Sequence, residues 1–381
     1  MRFSPIVLAL SLAACSPEVG TALPSTTATE AKAPSATDAS AAAASASAPS
    51  SAAVATAPRP DDPPRPIDLH VDTPWQVKFK GRAPTLPEGH ATMETLAKGR
   101  YAAIVYPIYI ADYLHDNSPT IADADEIYAT IDTIIEKNSL LWPATKGAAP
   151  ADKITAYVSI EGAGAFAADI TQIDRFIARG VVLIGPVHAH DNKLATSATG
   201  ADKKTGLTAL GKKFCERVYE NGALVDVSHM SDRAFDDLAT IAEKVGAPII
   251  ATHSDARAIA NSPRNLTDEQ LKRIAKSDGV AGVNFHSTFL KVSGEAKLAD
   301  AVKHAQHMIE VAGIDHVAIG SDFDGASPPS DLADASYLPA FAKALREAGV
   351  SAEDVHKIFS ENAKRVLKWG EEKRAAKRAQ K

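Results

Sequence analysis

Cysteine is scarce in this chain: 381 residues carry two, Cys15 and Cys215. One disulfide is the most they could form, and none forms if Cys15 is modified. Stability must then come from the core and any bound metal. Positive charge is not in excess either. The formal net charge is −6, which gives no footing for nucleic-acid binding. The basic C-terminal run, Glu371-Glu372-Lys373-Arg374-Ala375-Ala376-Lys377-Arg378, reads as the solvated end of a last helix. A glycine-rich phosphate loop is missing after the first strand candidate, which removes the usual dinucleotide-binding reading.

The N-terminus carries an export signal. Arg2, the mostly apolar run Phe3 to Leu12 and the small pair Ala13-Ala14 form the three parts of a signal peptide. The run is far too short to span a bilayer, which takes about 20 apolar residues. Leu12-Ala13-Ala14-Cys15 has the form of a bacterial lipobox, so Cys15 is expected to be the lipidated first residue of the mature chain. A plain secretory signal is the alternative. Residues 16–64, rich in Ala, Ser, Thr and Pro, have too few large apolar side chains to offset the entropy of ordering. They read as a tether between a membrane anchor and a catalytic domain over 65–381. The expected location is that of an exported bacterial lipoprotein, facing the periplasm or the cell surface. Ser16, in place of an aspartate, favours the outer membrane.

From Arg65 onward short β-rich runs alternate with amphipathic helical stretches. Strand candidates are Ile67–Asp72, Tyr101–Ile110, Ile154–Glu161, Val181–His188, Ala223–His229, Pro248–His253, Val280–Phe285 and His316–Asp322. Helices are expected over Asp123–Lys137, Asp169–Ala178, Gly206–Glu220, Ser231–Val245, Thr267–Ala275 and Lys297–Ala312, with a last one over Ala352–Trp369. Runs apolar throughout, such as Val317-Ala318-Ile319-Gly320, suit strands of a parallel sheet buried on both faces. The alternation predicts an α/β fold, a (β/α)8 TIM-type barrel rather than an open sheet.

In such a barrel the C-terminal strand ends build the active site. The first strand candidate ends in His70 and Asp72, whose i, i+2 spacing puts both on one face. Alone, that pair is more often a polar strand end than a ligand pair. The other ends, however, bring Glu161, His188 with His190, His229, His253 and Asp322. Together they favour a metal site. His70, Asp72, His229 and His253 are four good donors, and Glu161 could bridge with its two oxygens. That count suggests two ions sharing a hydroxide that is nucleophilic at neutral pH. The nitrogen and oxygen donors suit Zn2+, with other divalent metals also accommodated.

The motifs Asp68-Leu69-His70-Val71-Asp72-Thr73-Pro74, Ser159-Ile160-Glu161-Gly162, Val225-Asp226-Val227-Ser228-His229, Thr252-His253-Ser254, Arg264-Asn265-Leu266 and Gly320-Ser321-Asp322-Phe323-Asp324-Gly325 occur in that order. In sequence and spacing, residues from about Pro66 to Trp369 resemble the membrane (renal) dipeptidase family of zinc metallopeptidases. The resemblance implies that His70 and Asp72 hold one zinc, His229 and His253 the other, and Glu161 both. It implies an acid/base role for Asp322, an Arg264 that grips the substrate's terminal carboxylate, and a homodimer. The expected substrates are dipeptides with a free C-terminal carboxylate, L-D dipeptides included.

His188 departs from the pattern. The family usually has Leu-Thr-His, whereas this chain has Gly185-Pro186-Val187-His188-Ala189-His190. Alignment on Asn192 puts His188 at the substrate-contacting, catalytic position and His190 at the rim. A related binuclear-metal barrel hydrolase acting on another amide or lactone is the alternative. Some of those enzymes bridge their metals with a modified lysine, and no lysine stands at a strand end equivalent to Glu161.

Overall fold

The computed structural model describes residues 64–379. The signal segment with Cys15 lies outside these residues, as does the tether apart from Pro64. The strands are β1 (Ile67–Asp68), β2 (Ala103–Tyr109), β3 (Leu141–Pro143), β4 (Ile154–Glu161), β5 (Val181–Gly185), β6 (Leu224–Val225), β7 (Ile250–Ala251), β8 (Val280–Val283) and β9 (Val317–Ile319). They pair in parallel in the order β6-β5-β4-β2-β1-β9-β8-β7, with β3 added beside β4. The ring is completed between β6 and β7 by a parallel bridge from Asp226 to Ile250, where Val227 N–H donates to Ile250 O at 2.9 Å. With helices between the strands, this is the expected (β/α)8 barrel.

The strand interiors are apolar because helices cover the outside and side chains fill the inside. Ala103 to Ile108 in β2 and all of β5 are buried. Several strands stop short of the expected rim, and at β1, β6, β7 and β9 the cause is local. Buried carboxylates take over backbone N–H groups that a ladder would otherwise use. Asp68 accepts from His70 and Ser321, while Asp226 accepts from Ser228 and Thr252. The rim is therefore knit by side chains, which fix the residues after β1, β6, β7 and β9 more specifically than pairing would.

Most helices fall within a few residues of expectation, for example Ile121–Lys137, Asp232–Val245 and Asp268–Lys276. The longest of those that went unanticipated are Thr73–Lys80, Met93–Lys98 and Leu338–Glu347. The first starts directly after Asp72, with Pro74 near its first turn and Gly81 left-handed at its end (φ +73°). The last helix is not uniform. A π turn over Lys357–Glu361 separates Ala352–His356 from Asn362–Ala379. Asn362 at the join donates to Ile314 O and Val317 O, both at 2.8 Å. The basic run is not wholly solvated either: Arg374 donates to Gly222 O and Lys377 to Asn221 Oδ1. Among the described residues no helix is long and apolar enough to cross a membrane.

Candidate metal centre

Past β1 the chain is pinned to its neighbours, with Leu69 N–H on Ile319 O, Val71 N–H on Val105 O and Asp72 N–H on Phe323 O. Held between neighbours on both sides, His70 and Asp72 point to one face, and His70 Nε2 lies 3.3 Å from Asp72 Oδ2. Glu161, the last residue of β4, faces them. Its Oε2 is 3.5 Å from His70 Nε2, and its Oε1 is 2.9 Å from His229 Nε2 and 3.6 Å from His253 Nε2. One carboxylate thus turns one oxygen to each half of the cluster. His229 and His253 bring their Nε2 atoms within 3.0 Å of each other.

This donor set fits divalent cations. Nε2 of His70 is buried with no hydrogen-bond partner of good geometry, although two carboxylates face it. Burial alone would lower its pKa, but the Asp72 and Glu161 charges draw a proton onto it, so the spot attracts positive charge. Burial, with Arg264 and neighbouring histidines, holds His229 and His253 well below the usual imidazole range. Neutral imidazoles are the ligand form. Burial would raise Glu161, yet the His70 and His188 charges and the His229 hydrogen bond keep it well below the usual carboxylate range.

The tautomer of His253 is set from behind. Its Nδ1 lies 2.8 Å from Thr252 Oγ1, which donates to Asp226 Oδ2 at 2.6 Å. The Thr252 hydroxyl hydrogen is thereby committed to Asp226, so the oxygen accepts from His253 Nδ1–H and Nε2 keeps its lone pair. Ser228 Oγ also donates to Asp226, at 2.6 Å.

Asp322 completes the floor. Its backbone is left-handed (φ +62°), as is that of Asp324 (φ +70°), conformations that non-glycine residues rarely adopt. Asp324 is clamped by Arg82 through two contacts of 2.6 and 2.8 Å, by Thr73 Oγ1 at 2.6 Å and by His90 N–H at 2.8 Å. That clamp holds the turn and aims Asp322 at Asp72. Burial, then the Asp72 charge, push Asp322 up to about 7. Asn284 Nδ2 donates to Asp322 Oδ2 at 3.1 Å. Gly325 leaves the room: a Cβ there would come within 2.1 Å of Asp72 Oδ2 and 2.8 Å of Asp322 Oδ1.

A cavity of about 580 Å³ opens over the cluster, lined by Asp72, Glu161, His188, His229, His253, Arg264 and Asp322. His188 sits inside, its ring 4.3 Å from that of His229 and 4.5 Å from that of Tyr109. His190 is at the rim, with 75% of its side chain exposed against 22% for His188. Both histidines lean on Asp112, at 3.8 Å from His188 Nδ1 and 3.3 Å from His190 Nδ1. Arg264 is buried with Nε and Nη1 unpartnered, while its Nη2 lies 3.1 Å from His229 Nε2. The structure brings together every site residue expected from the sequence apart from Cys15. The sequence reading missed Asn284 and His286, which follow β8 directly and were signalled only by their place at a strand end. It also missed Thr252 and Asp226 as the support of His253, and the Asp324–Arg82 clamp.

Residues 65–381 match the profile of the membrane dipeptidase family, peptidase family M19. A metallopeptidase from Rhodobacter sphaeroides, solved with a phosphinate mimic of the dipeptide L-Ala-D-Ala, is similar with a TM-score of 0.70 and 26% identity over 81% of this chain and 100% of that one. An uncharacterised protein in the pqqA 5′ region of Klebsiella pneumoniae is 40% identical over 227 residues, 57% of this chain and 83% of that protein. An uncharacterised dipeptidase of Schizosaccharomyces pombe is 33% identical over 223 residues, 57% of this chain and 53% of that protein. The order of strands, the converging ligands and the family match agree, and the chain belongs to the membrane dipeptidase family of metallopeptidases.

Proposed function

We propose that this metallo-dipeptidase hydrolyses dipeptides with a free C-terminal carboxylate, L-D dipeptides among them, and holds two Zn2+ ions. The observation that carries the substrate class is Arg264: a buried guanidinium with two unpartnered nitrogens at the cavity wall. Such a fork pairs best with a carboxylate. The dipeptide mimic bound in the Rhodobacter sphaeroides relative supports the L-D reading.

In this reading His70 and Asp72 hold one ion, His229 and His253 the other, and Glu161 both. Bound there, the ions would supply a water that is nucleophilic at neutral pH and a Lewis acid for the scissile carbonyl. Asp322 takes the proton of the attacking water and returns it to the leaving amine, a role suited to a carboxyl raised to about 7. His188 donates a hydrogen bond to the oxygen that gains charge. Arg264 fixes the terminal carboxylate and so the register of the peptide. Trp75 and Tyr109, with rings 6.3 Å apart, wall the cavity near Asp72.

The test is a comparison of a dipeptide, its C-terminal amide and a tripeptide on metal-loaded protein, with metal content measured in parallel. Turnover of the free dipeptide alone, with two ions per chain, is expected. Equal turnover of the amide removes Arg264 from its role. We also propose that Cys15 is lipidated, that residues 16–64 tether the enzyme to the outer membrane and that it dimerises. The motif Leu12-Ala13-Ala14-Cys15 supports the first of these. Mass spectrometry of the mature N-terminal peptide, with C15A as control, and light scattering test them.

A further inference from the structure

We infer that His286 determines specificity by reading the side chain of the dipeptide's C-terminal residue, favouring side chains that present a hydrogen-bond acceptor. The inference rests on the dipeptide reading above. His286 follows β8 and lines the same cavity as Arg264 and Asp322. Its position is fixed from its own backbone: its N–H donates to Asn284 Oδ1 at 2.6 Å, and Asn284 Nδ2 donates to Asp322. The tautomer is fixed as well. Thr288 N–H donates to His286 Nδ1 at 3.3 Å, with Thr288 Oγ1 3.1 Å away. A neutral ring whose Nδ1 accepts carries its hydrogen on Nε2. No described residue is hydrogen-bonded to that Nε2, so it remains a free donor.

The wall around it says which part of the substrate it meets. The His286 ring packs on Phe289 with centroids 4.5 Å apart, and the Arg264 guanidinium lies 5.4 Å from the same Phe289 ring. Arg264, Phe289 and His286 therefore form one continuous surface. A carboxylate held by Arg264 leaves the side chain of the same residue over Phe289, with His286 at its far end. Ser262 also lines that wall, and its hydroxyl accepts from Arg264 N–H at 3.3 Å, which draws it toward the Arg264 backbone. Trp75 and Tyr109, near Asp72, present largely apolar surface to the N-terminal residue instead. A donor at the end of an aromatic floor distinguishes an amide or carboxylate side chain from an apolar one of equal size.

Asparagine and leucine make such a pair. The experiment measures kcat/KM for Ala-Asn and Ala-Leu, in both configurations of the second residue, on the metal-loaded full chain and on H286F and H286Q. Phenylalanine keeps the ring on Phe289 but lacks the donor, while glutamine places an amide N–H about where Nε2 stands. Thermal unfolding confirms that each variant folds. The expected wild-type preference for Ala-Asn is roughly tenfold, about the worth of one hydrogen bond. In H286F the ratio falls to near one, and in H286Q a severalfold preference returns. A ratio unaltered in H286F, or no wild-type preference, overturns the inference while dipeptide hydrolysis stands. No turnover of either dipeptide overturns both.

Discussion

His253 Nδ1 lies 2.8 Å from Thr252 Oγ1, and through that hydroxyl the imidazole is joined to the buried carboxylate of Asp226. The ligand set is thus one layer of a larger polar network, and the second layer decides which nitrogen of His253 is free to bind. T252V keeps the shape of the side chain and removes the relay. We expect about a 10- to 100-fold loss of metal affinity with the fold intact. Metal content after dialysis against graded chelator, beside a circular dichroism spectrum, reads both quantities.

Gly325 gives a steric prediction. In G325A the new methyl would overlap Asp72 Oδ2 and crowd Asp322 Oδ1, so one or both carboxylates must move. A displacement near 1 Å at a reacting centre costs on the order of 100-fold in rate. Activity is expected to fall by about that much while the melting temperature changes little. An active G325A would mean that these carboxylates are less closely packed than the distances indicate.

Asp322 is the group whose loss should separate binding from chemistry. D322N preserves the shape and the Asn284 contact but can no longer take a proton. A fall in kcat of about 100- to 10,000-fold is expected, the range for removing a general acid/base. Two ions should remain bound. Near-normal turnover would assign proton transfer to another residue.

His304 ties together the two loops that carry Arg264 and His286. It is fully buried: Nδ1 accepts from Ala256 N–H at 3.1 Å, and Nε2 donates to Leu290 O at 3.0 Å. H304L leaves both backbone groups unpaired and should cost about 2–6 kcal/mol, at roughly 1–3 kcal/mol per orphaned group. Burial holds the His304 pKa below the usual imidazole value. The folded protein therefore prefers it neutral. Its contribution is present in full above about pH 6.5 and is lost as pH falls through the lower folded value. Denaturant unfolding of wild type and H304L at pH 8 and pH 5 should show the gap between them narrowing at the lower pH.

Cys215 is buried in the helix Ala209–Glu220, and burial pushes its thiol far above the usual range. Thiolate is the reactive form. Peptide mapping after iodoacetamide treatment should find Cys215 unmodified in the native protein and fully modified after denaturation.

The barrel was legible because its signal is distributed. Eight apolar runs alternating with amphipathic ones leave few other packings, and a shift of several residues at any boundary does not change the fold. The candidate cluster was legible for a related reason, since His70, Glu161, His229, His253 and Asp322 each sit where a strand run stops. Legibility failed where structure depends on partners distant in sequence. Nothing local marks Asp324 as the anchor for Arg82 and Thr73, some 240 to 250 residues earlier. His286 is similar, because its role depends on a ring contact with Phe289 and on the tautomer that Thr288 imposes. The short strands at the rim also escaped, because ladder bonds gave way to the Asp68 and Asp226 carboxylates.

The clamp on Asp324 has a consequence for the order of assembly. Asp72 N–H reaches Phe323 O, Asp322 N–H reaches His70 O, and Arg82 reaches Asp324, so the first and last strands meet at the metal site. Contacts this distant in sequence form late, since closing a long loop must precede them. During synthesis the chain emerges from its N-terminus, and His70 and Asp72 wait for more than two hundred further residues before Asp322 is available. Until β9 docks on β1, no nascent intermediate brings Asp322 to His70 and Asp72. The candidate centre is assembled only when the ring closes.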